Sequence, residues 1–208
     1  MKGIHRQIVK DYQPRLISEG FLQEYAVLVP LIRQDDEIFI LFERRSQKVS
    51  HAGDFCFPGG KIDEGESSLE AAIRETKEEL LIHPEQIDVF GQGDSVITTS
   101  NLLVHSYIGI LYDYQNTFNE YEVDYVEKIA LKKLLSTTPE RYKINVEIIM
   151  PEDFPYEKIE EGKSYDFHRV DRYLLFYEVD GIVIWGLTAQ ILHSALEILK
   201  LAMEPNND

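Results

Sequence analysis

The stretch that most constrains this chain is FPGGKIDEGESSLEAAIRETKEEL, residues 57–80. Pro58, Gly59 and Gly60 stop a strand, since proline has no N–H for a ladder and glycine no side chain to pack. After a polar loop the pattern becomes helical, with Leu69, Ala72, Ile73, Thr76 and Leu80 on one side. Ser67 or Ser68 is placed to cap the helix start, and Pro84 bars its continuation. Glu75, Glu78 and Glu79 then fall at i, i+3 and i+4 and share the other face. Carboxylates gathered so closely repel unless a cation sits among them, and hard oxygen donors suit Mg²⁺ or Mn²⁺. Arg74 can pair with Glu70 or Glu78 at i±4, while Gly59 and Gly60 let backbone approach a ligand closely. A solvated acidic face is the commonest explanation of glutamates on a helix, and the residues alone leave both explanations open.

Around this segment the chain reads as a mixed sheet with helices. YAVLVPLIR (25–33) and EIFILFERR (37–45), separated by QDD, form a hairpin signature. Further strands are expected over 86–98, 102–111 and 172–185, the last turning at Asp180-Gly181. Helices are expected over 4–18, in KIALKKLLS and over 187–203, where an apolar stripe should pack on the sheet. With no repeat or linker, the 208 residues are read as one domain over 1–208, of α+β or α/β/α sandwich type. Residues 136–172 are left as loops with room to select a substrate. Cys56 and Trp185 are expected in the packing. Tyr112, Tyr114, Phe118 and Tyr121 are expected to be exposed, a surface on which two copies could pair as a homodimer.

A formal charge of −16 argues against long nucleic acids and anionic membranes as partners, but not against a small phosphorylated ligand screened by metal. No apolar run is long enough to span a bilayer, and the first residues lack the apolar core of a signal peptide. One cysteine excludes an internal disulfide and fits a reducing, cytoplasmic setting.

The spacing Gly60, Glu66, Arg74-Glu75, Glu78-Glu79 resembles the signature of the Nudix hydrolases, with the box at 60–82. The resemblance implies a Nudix fold, a mixed sheet sandwiched between helices. It also implies divalent-metal hydrolysis of a diphosphate joined to another group. Carried over by position, Glu75, Glu78 and Glu79 are the metal ligands with the Gly60 carbonyl, and Gly59, Glu66 and Arg74 are structural residues that orient the set. The general base is Glu79, Glu78 or an acid downstream such as Glu122. The family's glycine two residues past Glu79 is Leu81 here, so Pro84 is expected to end the helix instead.

The upstream stretch, with Leu41, Arg45, Ser46, Val49, His51, Gly53 and Phe57–Gly60, is similar to that of the coenzyme A diphosphatase branch. Ile184-Trp185-Gly186 with Thr188-Ala189 is similar to the same branch's terminal segment. By that analogy CoA or acyl-CoA is cut to 3′,5′-ADP and (acyl-)4′-phosphopantetheine. Arg44, Arg45, Lys48 and Lys61 are the notable basic cluster, suited to phosphate unless the arginines pair with surface acids. Arg44, Arg45, His51 and Lys61 are taken as substrate-binding, with His51 otherwise a polar loop contact. Competing expectations are an ADP-ribose, nucleotide-sugar or dinucleotide polyphosphate hydrolase, and a non-catalytic nucleotide-binding module of the same fold.

Overall fold

The computed structural model describes residues 22–165, 167 and 170–203. The helix expected over 4–18 lies outside the described residues. In chain order the elements are β1 (Gln23–Gln34), β2 (Glu37–Arg45), β3 (Phe55–Cys56), β4 (Gly59–Lys61), α1 (Ser68–Leu80), β5 (Ile87–Ile97) and β6 (Leu102–Leu111). They continue with β7 (Val123–Ala130), α2 (Leu131–Ser136), β8 (Glu140–Val146), β9 (Val170–Val179), β10 (Ile182–Trp185) and α3 (Gly186–Met203).

The seven-stranded mixed sheet runs β3-β2-β1-β6-β5, with β4 added to β1 and β7 to β2. β1 is parallel to β6 from Gln23 to Ile32, whereas β2 is antiparallel to β1 only from Leu31 to Gln34. The other half of that edge is taken by β4, which pairs Tyr25–Val27 with Gly59–Lys61. Pro30, with no N–H to donate, stands in the gap between the two pairings. The glycine segment is thereby inserted into the middle of the sheet, next to α1.

Alternation along β1 sends Ala26, Leu28 and Ile32 to one face and Val29 and Leu31 to the other. The first face meets α1 through Ala71, Ala72 and Leu80, with Leu41, Tyr107 and Leu111. The second carries a larger core of α3, α2 and a separate antiparallel sheet, β10-β9-β8. Asp180 and Gly181 turn β9 into β10 with φ of 53° and 81°, the two positive values a type I′ hairpin requires.

Four expectations need correction. Leu69 is 38% exposed and Ala71 is buried in its place, because α1 lies close enough to the sheet for alanine to be the better fit. KIALKKLLS is helix from Leu131 to Ser136 as expected, but its first three residues, Lys128–Ala130, finish strand β7, where pairing with β2 outweighs local helix preference. The 136–172 stretch contains strand β8, paired to β9, so it is not all loop. Helix α1 ends at Leu81, which takes left-handed φ of 54°, three residues before Pro84.

Candidate active site

Ser67 caps α1 with a full capping box. Its hydroxyl accepts from the Glu70 N–H, and its own N–H donates to Glu70 Oε2 at 2.9 Å. Glu70 is therefore committed to the cap, and the expected Arg74–Glu70 pair does not form. Arg74 instead reaches back to the loop before the helix. Its Nε and Nη2 donate to the two oxygens of Glu66, each at 2.9 Å, and Nη2 also donates to the Lys61 carbonyl at 3.0 Å. Nη1 donates to Glu75 Oε1 at 2.7 Å and stands 3.6 Å from Glu78 Oε2. A bidentate arginine–carboxylate pair fixes direction as well as charge, so Glu66 aims Arg74 and Arg74 aims Glu75. The Arg74 hydrogen bonds hold the Glu66 carboxyl below its usual range.

The two glycines are required by different neighbours. A Cβ on Gly59 would lie 2.3 Å from the Ala26 carbonyl oxygen, and one on Gly60 would lie 2.3 Å from the Glu75 carboxyl carbon. Gly59 is thus a demand of the sheet and Gly60 a demand of the carboxylate. The Gly59 N–H donates to Glu79 Oε2 at 2.8 Å, which turns that side chain inward.

The three glutamates of the shared face occupy different environments. Glu78 extends into solvent with 60% of its side chain exposed, Glu75 is half-buried, and Glu79 is only 5% exposed. Burial, opposed by Arg74, raises the Glu75 carboxyl. Burial raises Glu79 to about 8, helped by the negative charges of Glu75 and Glu122 and opposed by the Gly59 N–H. As the side chains stand, no three acid, imidazole or thiol groups among the described residues are gathered to hold a metal ion. The donor set nonetheless suits a hard divalent cation in kind and charge. Glu43, Glu75, Glu79 and Glu122 crowd one side of the sheet, and a buried Glu43 oxygen, Oε1, has no hydrogen-bond partner among the described residues. Glu122 is brought there by the turn after Asn119, whose N–H donates to the Glu79 carbonyl at 2.7 Å.

Glu43 is the residue that sequence reasoning missed. It lies in an apolar strand on the face of Leu41, and that alternation was the available signal.

The basic cluster is largely engaged. Arg44 faces Asp124 at 3.4 Å, donates to the Gly53 carbonyl and lies over the Tyr125 ring. Lys48 donates to the Glu120 carbonyl and lies over Tyr121. Arg45 donates to the Ser50 carbonyl at 2.8 Å, with a second nitrogen 3.9 Å from Cys56 Sγ. Lys61 and His51 are exposed, His51 with left-handed φ of 58°. Ser46 is buried and donates to the Tyr121 carbonyl at 2.6 Å, so it ties its loop to the Glu122 turn. The Cys56 thiol is pushed up by burial and by Glu43, which suits packing and not a nucleophile.

Trp185 is not in the core. It is 42% exposed, stacks on Phe176 at 5.7 Å, and donates from Nε1 to Asp54 Oδ1 at 3.2 Å. It lies on β10, the edge strand of the smaller sheet, and its neighbour on alternate positions, Val183, is likewise exposed, at 45%. Tyr114 and Phe118 are half-buried, so they do not join Tyr112 and Tyr121 in one exposed patch.

Comparison with known proteins agrees with this geometry. The family model described as NUDIX domain matches residues 22–148. The chain is 30% identical over 201 residues to Nudix hydrolase 3 of Caenorhabditis elegans, covering 90% of this chain and 78% of that protein. It is 31% identical to the Nudix hydrolase NudL of an Enterobacter species, covering 88% of this chain and 85% of that one. Among solved structures, a MutT/nudix family protein from Enterococcus faecalis superposes with a TM-score of 0.51 at 15% identity, over 95% of this chain and 68% of that one, a likeness of fold. The chain belongs to the Nudix hydrolase family.

Proposed function

We propose that this protein is a divalent-metal-dependent diphosphatase of CoA or acyl-CoA, releasing 3′,5′-ADP and (acyl-)4′-phosphopantetheine. One contact carries the preference for CoA. The upstream loop and the Ile184-Trp185-Gly186 segment, the two stretches that resemble the CoA-cleaving branch, meet where Trp185 donates to Asp54. Two segments so far apart in sequence are thus available to one ligand.

Glu75, Glu78, Glu79 and the Gly60 carbonyl would hold Mg²⁺ or Mn²⁺. When bound, such an ion supplies charge neutralisation at the diphosphate and activation of water. The chain's own groups supply position. Arg74 holds Glu75, Glu66 holds Arg74, and the Gly59 N–H holds Glu79. The acid that accepts the water's proton is Glu79, Glu78 or Glu122, the last placed beside the cluster by its turn. Because Arg44 and Lys48 are engaged elsewhere, contact with the CoA 3′-phosphate falls to the exposed Lys61 and His51.

The test is incubation with CoA and Mg²⁺ or Mn²⁺, products separated by chromatography, with Glu79→Gln alongside. Release of 3′,5′-ADP and phosphopantetheine by the wild type alone is expected. Turnover of ADP-ribose, a nucleotide sugar or a dinucleotide polyphosphate without CoA cleavage would keep the metal site and discard the substrate. Binding of nucleotide with no cleavage of any diphosphate would favour a regulatory module.

A further inference from the structure

We propose that Glu43, on strand β2 and outside the Nudix box, is an additional ligand of the metal centre. Leu41 and Glu43 point to the α1 side of the sheet, whereas Ile40 and Phe42 enter the opposite core. Glu43 is 1% exposed, and its Oε1 has no hydrogen-bond partner among the described residues. An isolated buried carboxylate is destabilising unless it is paired. The company of Glu43 makes that worse. Its carboxylate meets that of Glu79, and the charge of Glu122 also bears on it.

Arg45 offsets part of this charge, but its Nε is given to the Ser50 carbonyl and Nη1 lies towards Cys56. Cys56, the cross-strand neighbour of Glu43, brings no cation. Two touching acids, with a third nearby and one oxygen unpartnered, are what a hard cation with several oxygen ligands would satisfy. The placement of Glu43 differs from that of the box residues: they come from α1 and the short strand β4, whereas Glu43 comes from β2. A ligand rooted in a central strand would fix the ion's depth relative to α1.

The inference rests on the box as the metal site, and the experiment separates the two. Wild type, Glu43→Gln and Glu79→Gln are stripped with EDTA and titrated with Mn²⁺, free ion being followed by electron paramagnetic resonance. Both variants are expected to bind at least ~10-fold more weakly, as losses of metal-supporting groups do, or to lose one equivalent of Mn²⁺. Unchanged binding in Glu43→Gln with loss in Glu79→Gln overturns the role of Glu43 alone. Unchanged binding in both overturns the site with it. Glu43→Leu, which restores an apolar strand residue, covers the case in which the amide misfolds. It should match or exceed the wild type in Tm in EDTA and show a smaller rise in Tm on adding Mn²⁺. An undiminished rise would likewise overturn the proposal.

Discussion

The two faces of the mixed sheet are built on different terms. The face towards α3 is the larger, and its buried groups are nearly all apolar. Among the described residues its one buried polar side chain on the sheet is that of Ser106, which donates to the Asp94 carbonyl at 2.8 Å. The face towards α1 is smaller, uses alanines at the contact, and buries two acids, Glu43 and Glu79. One side is therefore where apolar burial holds the fold, at roughly 1.5–3 kcal/mol for each large side chain removed from water. The other gives up part of that gain to keep charge out of water, which is useful only if something charged comes to bind. Side-chain alternation on the shared strands lets one sheet serve both purposes.

The largest expected effects test that division directly. Leu192→Ala, at a fully buried α3 position, should cost about 2–5 kcal/mol of stability while leaving kcat of the folded enzyme unchanged. Arg74→Lys should do the reverse. A lysine cannot reproduce the bidentate pair with Glu66 while also holding Glu75. Activity should fall by about 10–100-fold with Tm nearly unmoved. Calorimetry and steady-state assays on both variants decide it. If Arg74→Lys unfolds the protein, or Leu192→Ala loses activity in its folded fraction, the two faces are not separable.

The next effect is a pH dependence belonging to one face only. In the metal-free protein Glu79 is raised to about 8, from an ordinary carboxylate value near 4.5. The folded state then holds a proton that the unfolded chain has released, so stability falls as pH rises between those values. Tm measured in EDTA should decline from pH 5 to pH 8. Saturating Mg²⁺ should flatten the slope, because the ion replaces the proton as counter-charge. Glu79→Gln should also flatten it, while Leu192→Ala should lower the curve without tilting it. A metal-free Tm that rises over this interval would show that the acids are not buried as described.

Much of this organisation was legible in the sequence, and the failures have physical causes. The Ser67 cap, the Asp180-Gly181 turn and the β1–β2 hairpin are set by local rules and appear where those rules put them, whereas Gly59 and Gly60, expected to stop a strand, form strand β4 on β1. Glu43 was passed over because it sits near the polar end of an apolar run, and its burial depends on Glu79 and Cys56 arriving from elsewhere. Strand β7 was masked by residues with helix preference whose pairing with β2 is long-range. Trp185 was misplaced because size and apolarity do not reveal which face of an edge strand is buried. The box placed three acids on one helix face, but their separation into an exposed Glu78, a half-buried Glu75 and a buried Glu79 comes from Arg74 and the Gly59 N–H.

The smallest expected effect lies where α1 leaves the acid-bearing face. Leu81 adopts the left-handed conformation at the helix end, its N–H donating to the Lys77 carbonyl, and it is 59% exposed. An L side chain in that conformation costs about 1–2 kcal/mol, which glycine does not incur. Glycine gives back part of the gain through the greater freedom of the unfolded chain. Leu81→Gly should therefore stabilise the protein by about 0.5–1 kcal/mol, with no change in kcat. Pro84→Ala should leave Tm close to the wild-type value, since the helix has already ended before it. A lower Tm for Leu81→Gly would mean that the leucine side chain contributes packing worth more than its strain. The exit from α1 would then be held as its interior is, by burial against the sheet, and not by backbone conformation.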